Sequence, residues 1–229
     1  MNEPRKVYPI GDMHIGSNEF LPDLLKEKLK LIDYNDGWIV GMGDYCEIGT
    51  KHSYGTFNQV IFSTKQYKEV LNYFKPFKKR IIGMYRGNHE ERIKRDTGFD
   101  IVNILCNTLH CRYFGIVKPF KKFGKVFYGG HPKRAATVDS GRRLMFDKML
   151  RIQEADIYLA GHCHSLYSRK IKRFYYTTKR MSKKIWYVMT GSFLQYEGSY
   201  AEEKLYEPQG VGCQEIAIYK NGHVEVCEL

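Results

Sequence analysis

The chain has 229 residues, is 43% hydrophobic and 14% aromatic, and carries a formal net charge of +12 from 37 basic and 25 acidic residues. This composition excludes an intrinsically disordered protein, and no apolar run approaches the ~20 residues of a membrane-spanning helix. The positive charge favours an anionic partner such as phosphate, nucleic acid or an anionic membrane surface. A solvated basic face that keeps the protein soluble is the alternative explanation.

Short apolar segments alternate with segments of helical periodicity along most of the chain. Helices are predicted where apolar residues recur at helical spacing, at 21–32, 67–74, 101–109 and 144–152. Strands are predicted at 7–10, 38–42, 80–85, 125–129, 156–161 and 185–191. An Asn-Gly turn between two alternating runs predicts a C-terminal hairpin at 213–229. This order predicts an α/β fold in one domain over 1–229, with sheets that are partly antiparallel or mixed.

The six cysteines form no C-x-x-C pair, and the first residues lack the pattern of a secretory signal. We therefore expect reduced thiols and a cytoplasmic protein. Cys106, His110 and Cys111 are metal-binding residue types, but they lack a fourth ligand nearby and lie where a helix is predicted to end. We interpret them as a buried helix end rather than a zinc site.

The most informative pattern lies at the ends of five of the predicted strands. Each strand ends in glycine and then in Asp, Asn or His, and together these positions supply Asp12, His14, Asp44, Asn88, His89, His131, His162 and His164. One such pattern alone is commonly a turn. Because binding sites of open α/β sheets lie at the carboxyl ends of the strands, five strand ends can bring these side chains into one crevice.

The residue types indicate a metal site rather than a set of turns. Mixed nitrogen and oxygen ligands suit manganese, iron or zinc better than calcium. Five of the eight histidines lie closely behind apolar strands. Asp, Asn and His are too numerous here for one ion, and two ions ~3.5–4 Å apart are common in enzymes that displace groups at phosphorus.

Five motifs, read in chain order over residues 11–164, resemble the calcineurin-like metallophosphoesterase superfamily; they are GDMHIG, GDYCEIG, RGNHEE, GGHP and GHCH. The resemblance implies a four-layer α/β/β/α sandwich with mixed sheets and two divalent metal ions at the strand ends. Manganese is the favoured metal, and iron, zinc or nickel are alternatives.

By position, the resemblance also implies a role for each motif residue. The first ion would be held by Asp12, His14 and His164, the second by Asn88, His131 and His162, and both by a bridging Asp44. A hydroxide bridging the two ions would attack phosphorus.

The same resemblance assigns four residues that do not bind metal. His89 would stabilise the transition state or protonate the leaving oxygen. Glu90 would orient His89, and Glu47 would support the ligands. Arg86, in the sequence RGNHE, resembles the arginine with which serine/threonine phosphoprotein phosphatases contact phosphate, and it would contact the substrate phosphate here.

Residues 165–190 come directly after the last ligand pair and interleave eight Lys or Arg with aromatic residues. Basic groups track a nucleic-acid backbone and aromatic rings stack on bases, so this segment favours DNA or RNA as substrate. The alternative is a twisted hairpin whose aromatic residues pack inward and whose charges face water.

Taken together, the sequence predicts a dimetal-dependent phosphodiesterase, such as a nuclease, that acts on nucleic acid or nucleotides. The principal alternative is a phosphomonoesterase of the serine/threonine phosphoprotein phosphatase type. A scaffold without activity is disfavoured by the complete ligand set. A membrane-surface enzyme that cleaves a lipid pyrophosphate ranks lower, because no amphipathic insertion helix is evident. The sequence leaves the oligomeric state open.

Overall fold

The computed structural model describes residues 3–49, 59–134, 136–176, 178–208 and 210–229. The helices are α1 (Pro22–Tyr34), α2 (Ser63–Phe74), α3 (Asn88–Thr97), α4 (Ile101–Leu109), α5 (Asp139–Ile152) and α6 (Tyr200–Glu203). The first strands are β1 (Arg5–Ile10), β2 (Trp38–Gly41), β3 (Ile81–Tyr85), β4 (Arg112–Gly115), β5 (Val117–Lys122) and β6 (Lys125–Gly130). They are followed by β7 (Ile157–Ala160), β8 (Leu166–Tyr176), β9 (Arg180–Thr190), β10 (Gln214–Ile218) and β11 (Val224–Glu228).

The strands form two mixed sheets. The first has the order β11-β10-β1-β2-β3-β4, in which β1 to β4 are parallel and the C-terminal hairpin adds two antiparallel strands. The second has the order β5-β6-β7-β9-β8, in which β6, β7 and β9 are parallel and the two edge strands are antiparallel.

The central strands bury both faces, which explains why their sequences are almost continuously apolar. Successive side chains of a strand point to opposite faces. Accordingly, Val7 and Ile82 pack between the two sheets, whereas Tyr8 and Ile81 pack on the opposite face of the first sheet.

Three apolar clusters separate four layers. One joins α1, α2 and α4 to the outer face of the first sheet, a second lies between the sheets, and a third joins α5 to the outer face of the second sheet. The predicted α/β/β/α sandwich with mixed sheets is therefore confirmed. None of the helices in the described residues is long and apolar enough to cross a membrane.

Aromatic stacking joins the two sheets along one edge, where β4 and β5 are the outermost strands. The ring of Phe114 on β4 stacks on Phe120 of β5 with centroids 5.1 Å apart, and Phe120 stacks on Phe127 of β6 at 4.7 Å. All three rings are buried. The stack links a strand of the first sheet to two strands of the second.

β8 and β9, each eleven residues long, pair along their whole length as an antiparallel hairpin. β7 pairs with β9 over Trp186 to Met189, so residues 171–176 and 180–185 lie beyond the last pair with β7. We call residues 171–185 the ribbon. Because β9 runs from the ribbon towards the carboxyl end of the sheet, the ribbon extends away from the strand ends that carry the motifs, although its sequence comes soon after His164.

Candidate metal centre

Strand ends of both sheets converge at one edge of the sandwich. Asp12 follows β1 and Asp44 follows β2 of the first sheet, whereas His131 follows β6 of the second. Asn88 begins α3 after β3, and His162 and His164 follow β7. The structure thus brings together all seven residues that the sequence predicted as metal ligands.

Backbone strain is concentrated at these residues. Five of the seven have positive φ, with Asp12 at 49°, His14 at 48°, Asp44 at 50°, His162 at 73° and His164 at 48°. Residues other than glycine seldom adopt this left-handed conformation, and such strain is often found at functional sites. It turns each strand end sharply, so that the side chains point towards a common centre.

Glycines allow the strand ends to approach one another. A Cβ atom at Gly87 would lie 2.1 Å from both the backbone nitrogen and Oδ1 of Asp44. Gly43 has φ +92°, and a Cβ there would lie 2.6 Å from the nitrogen of Gly87. The glycines of the motifs are therefore required for the packing of the second motif against the third.

The first group of candidate ligands comprises Asp12, His14 and His164, whose ligand atoms lie within 4.8 Å of one another. Nε2 of His14 lies 3.2 Å from Nε2 of His164, and the latter atom lies 3.5 Å from Oδ1 of Asp12. This group consists of the three residues that the resemblance assigns to the first ion.

The second group comprises Asp44, His131 and His162, again within 4.8 Å. Oδ1 of Asn88 lies 3.0 Å from Nε2 of His131 and adds an amide oxygen to this group. These are the residues that the resemblance assigns to the second ion, together with the bridging carboxylate.

Asp44 lies between the two groups. Its Oδ2 is 3.1 Å from Nε2 of His131 and 3.7 Å from Nε2 of His14. The atom is buried and has no hydrogen bond of normal geometry among the described residues. A buried carboxylate oxygen is costly unless a cation, either a protonated imidazole or a metal ion, neutralises it. This oxygen, which lies between imidazole nitrogens of both groups, fits a pair of divalent ions.

Hydrogen bonds behind the ligands fix the orientation of two imidazole rings. Nδ1 of His14 lies 2.8 Å from Oε2 of Glu47, and Nδ1 of His131 lies 2.8 Å from the carbonyl oxygen of Met42. Both partners are acceptors, so Nδ1 carries the hydrogen in each ring and Nε2 faces the centre, as metal-binding histidines require.

In the absence of metal ions, protons on histidine side chains offset the negative charge of the buried carboxylates. Burial lowers the pKa of His14, but the hydrogen bond and charge of Glu47 outweigh burial and raise the pKa to about 9. Burial also lowers the pKa of His131, yet Asp44 and Asp12 raise it to about 10. At neutral pH these protons occupy positions that divalent ions would take, and metal binding would release them.

Glu90 supports the ligands through the backbone. Its fully buried carboxylate accepts hydrogen bonds from the backbone nitrogens of Asp44 (3.0 Å), Tyr45 (2.7 Å), Cys46 (3.1 Å) and Gly87 (3.0 Å). The side chain thus ties the second motif to the third. The hydrogen bonds of the described residues include none from Glu90 to His89, which Glu90 was expected to orient.

His89 is oriented by Glu47 instead. Its Nδ1 lies 2.6 Å from the backbone oxygen of Glu47, and its backbone nitrogen donates to Oδ1 of Asp44 at 2.9 Å. Burial lowers the pKa of His89 to about 4. A ligand atom of the ring also lies within 4.8 Å of those of His14 and Asp44, so the ring adjoins the metal-binding groups.

Arg86 does not occupy the position expected for a phosphate contact. Its guanidinium is buried and bonds Asp100 and Glu91, both at 2.6 Å, and the hydroxyl of Tyr113 at 2.7 Å. Arg86 is absent from the residues that line the cavity at the site. Its partners compensate its charge within the protein, so the structure disagrees with the sequence-based assignment.

A cavity of about 790 Å³ opens above the ligand groups. His14, Asp44, Asn88, His162 and His164 line its floor beside Glu47 and His89, and residues from the segment after β9, including Tyr196, form a wall. Asp12 and His131 lie buried beneath this floor.

Two cations that sequence reasoning missed also line the cavity. Arg92 lies one turn after His89 on α3 and has no ion pair within the described residues. Arg142 on α5 is buried, and its Nε has no hydrogen-bond partner there, although its Nη2 donates to the oxygen of Thr137 at 3.0 Å. The i, i+3 spacing from His89 could have indicated Arg92, whereas no local signal distinguishes Arg142 from its neighbour Arg143.

Comparison with known structures supports the fold. Vacuolar Protein Sorting 29 from Cryptosporidium parvum is similar in structure at a TM-score of 0.53 and 15% identity, with 99% of this chain and 97% of that chain covered. An archaeal phosphodiesterase is similar at a TM-score of 0.53 and 10% identity, with 98% and 99% covered. At such identities these likenesses show the fold alone. No curated protein matches the sequence.

The sequence itself matches the calcineurin-like phosphoesterases over residues 5–166. This match includes all five motifs and every residue of the two ligand groups. The chain therefore belongs to the calcineurin-like phosphoesterase family of metal-dependent phosphoester hydrolases.

Proposed function

We propose that the chain is a phosphodiesterase that acts on nucleic acid or nucleotides with two divalent ions. The observation that carries the proposal is the pair of ligand groups that meet at Asp44 on the floor of a cavity of about 790 Å³. Asp12, His14 and His164 would hold one ion, Asn88, His131 and His162 the other, and Asp44 both. Manganese suits this set of imidazole, carboxylate and amide ligands.

Two ions at this position would polarise the phosphoryl oxygens and supply a nucleophile at neutral pH. The chain's own residues fix where the phosphate lies. Arg92 and Arg142 line the cavity with the ligands, and both can donate to phosphate oxygens. We assign the substrate contact to these two arginines in place of Arg86.

His89 is placed to transfer a proton to the leaving oxygen. Because Nδ1 is bound to the backbone oxygen of Glu47, Nε2 is the nitrogen available to the substrate. Burial keeps the ring neutral before substrate binds. An anionic phosphate in the cavity would raise the pKa of the imidazole and favour proton uptake, after which the ring can act as general acid.

The likeness of Arg86 to the phosphate-binding arginine of phosphoprotein phosphatases supported the phosphomonoesterase alternative, but Arg86 forms ion pairs with Asp100 and Glu91. The cavity is also large enough to hold groups on both sides of a phosphorus atom, since ligand pockets span ~300–1,000 Å³. Both observations favour a diester substrate.

The test compares two chromogenic substrates with Mn²⁺ added. We expect bis-p-nitrophenyl phosphate to be hydrolysed with a higher kcat/KM than p-nitrophenyl phosphate. A preference for the monoester would contradict the proposal and favour the phosphatase alternative. Metal-free protein prepared with a chelator serves as the control and should hydrolyse neither compound.

A further inference from the structure

The ribbon carries charge that its surroundings leave uncompensated. Residues 171–185 include six Lys or Arg and no Asp or Glu. Among the described residues, Lys183 forms ion pairs with Glu154 (3.6 Å) and Asp156 (3.1 Å), whereas Lys172, Arg180 and Lys184 form none. The outer part of the ribbon is therefore strongly electropositive.

Aromatic rings lie among these cations and are exposed. The exposed fraction is 50% for Phe174, 43% for Tyr175 and 77% for Tyr176. Cations on an edge strand guard against pairing with other sheets, and β8 is such a strand. Edge protection explains the lysines and arginines, but it does not explain three large exposed rings, which increase the tendency to associate.

One face of the ribbon combines rings and cations in a regular order. Alternation places Lys172, Phe174 and Tyr176 on the same face, and their register partners across β9 are Lys184, Ser182 and Arg180. Nζ of Lys172 lies 5.0 Å from the centroid of the Phe174 ring, and Cζ of Arg180 lies 4.3 Å from it. The α-carbons of Phe174 and Tyr176 are two residues apart, or about 6.8 Å along the strand.

We propose that this face of the ribbon binds single-stranded nucleic acid, with bases stacked on Phe174 and Tyr176 and phosphates paired with Lys172, Arg180 and Lys184. The preference for nucleic acid over another polyanion rests on the proposed function. Single strands are favoured over duplexes, because only unpaired bases present their faces to rings. A membrane surface fits less well, since residues 172–184 contain no Leu, Ile or Val to enter the acyl region.

The test measures binding without hydrolysis. Fluorescence anisotropy follows a fluorescein-labelled oligothymidylate of about twenty nucleotides, longer than the ~4–16 nucleotides that single-strand binding folds occupy, in buffer containing EDTA. The double variant Phe174→Ser/Tyr176→Ser should bind at least about tenfold more weakly. The double variant Lys172→Ala/Lys184→Ala should reduce the slope of log K against log salt concentration by about 1.4.

The matched control is Lys30→Ala/Tyr34→Ser, which removes a cation and an 88% exposed ring from α1 and should bind as the wild type does. Equal affinity and equal salt slope in both ribbon variants would overturn the proposal. Binding of the wild type to phosphatidylserine vesicles but not to the oligonucleotide would overturn it in favour of a membrane. Hydrolysis of bis-p-nitrophenyl phosphate by the wild type is measured separately, so that failure of the proposed function is distinguishable from failure of ribbon binding.

Discussion

Asp44 is the residue on which both ligand groups depend. Its Oδ2 faces an imidazole nitrogen of each group, and its Oδ1 accepts a hydrogen bond from the backbone nitrogen of His89 at 2.9 Å. One carboxylate therefore contacts both candidate metal positions and also the start of α3, which carries the candidate acid. Replacing a single oxygen of this side chain should affect both ions.

We expect Asp44→Asn to weaken binding of both divalent ions, because the amide removes the negative charge shared by the two groups. Isothermal titration with Mn²⁺ measures affinity and stoichiometry. Asp36→Asn is the matched control, since Asp36 also has positive φ, at 48°, but its side chain is 80% exposed. Unchanged stoichiometry and affinity in Asp44→Asn would refute the bridging role.

We expect His89→Ala to retain two ions and to lose about 10²- to 10⁴-fold in kcat on bis-p-nitrophenyl phosphate, the usual contribution of a general acid. Metal content by mass spectrometry distinguishes this role from that of a ligand. His223→Ala, on the C-terminal hairpin, is the control and should leave both quantities unchanged. Loss of metal in His89→Ala would show that the ring binds an ion.

We expect Arg92→Ala to lower kcat/KM by roughly 10- to 100-fold, because a hydrogen bond to a charged group contributes about 1.5–3 kcal/mol. Steady-state kinetics on the diester measure this loss. Arg95→Ala removes an arginine from the same helix whose side chain is 70% exposed, and it should have no effect. Equal kinetics of the two variants would exclude Arg92 from the substrate contact.

The sequence predicted the candidate ligands well because their positions are local. Each lies directly after an apolar strand, so that spacing alone placed them at the strand ends. The position of Arg86 in RGNHEE predicts a phosphate contact. The motif cannot reveal that Asp100, fourteen residues later, lies 2.6 Å from the guanidinium of Arg86 in the folded chain. Arg92 and Arg142 were missed because the cavity that gives them a role is formed by residues distant in sequence.

Among the secondary-structure elements, α3 joins the candidate metal centre to the rest of the fold. The helix begins at Asn88, and Glu90 in its first turn accepts four backbone hydrogen bonds. The helix was not predicted, because its sequence NHEERIKRDT has one apolar residue and hence no periodic face. β5 was not predicted for a similar reason, since Phe120 is the one buried residue of VKPFKK and three lysines interrupt any alternation of apolar and polar residues.

We expect Glu90→Ala to destabilise the fold by at least about 3 kcal/mol, because four backbone N–H groups lose their acceptor. For a chain of this length the melting temperature should fall by about 6–12 °C. Glu27→Ala, whose side chain is 68% exposed on α1, is the control and should melt as the wild type does. An unchanged melting temperature of Glu90→Ala would show that water replaces the carboxylate.

In the molecule as a whole, the candidate site forms only because the two sheets keep a fixed position relative to each other. Asp12 and Asp44 come from one sheet, and His131, His162 and His164 come from the other. The stacked rings of Phe114, Phe120 and Phe127 lie at the interface between them. Layer order could be predicted from the resemblance, but the contact between Phe114 and Phe120 could not, because β4 and β5 belong to different sheets.

We expect Phe127→Ala to cost about 3–5 kcal/mol of stability, as for other large-to-small changes in a core. Chemical denaturation followed by circular dichroism measures the loss. Phe62→Ala, at an 87% exposed ring, is the control. A loss below about 1 kcal/mol would indicate that the neighbouring rings close the cavity.

If the chain acts on nucleic acid and the ribbon binds it as proposed, the direction of β8 sets a minimum length for a substrate that reaches both sites. The strand begins two residues after His164 and ends at Tyr176, so its ten steps carry the chain roughly 33 Å from the candidate metal centre. A nucleic-acid strand rising 3.4 Å per nucleotide would need about ten nucleotides to span that distance. Shorter oligonucleotides could occupy the cavity or the ribbon, but not both. KM should then fall as the substrate lengthens. It should level off once one strand is long enough to occupy both the cavity and the ribbon.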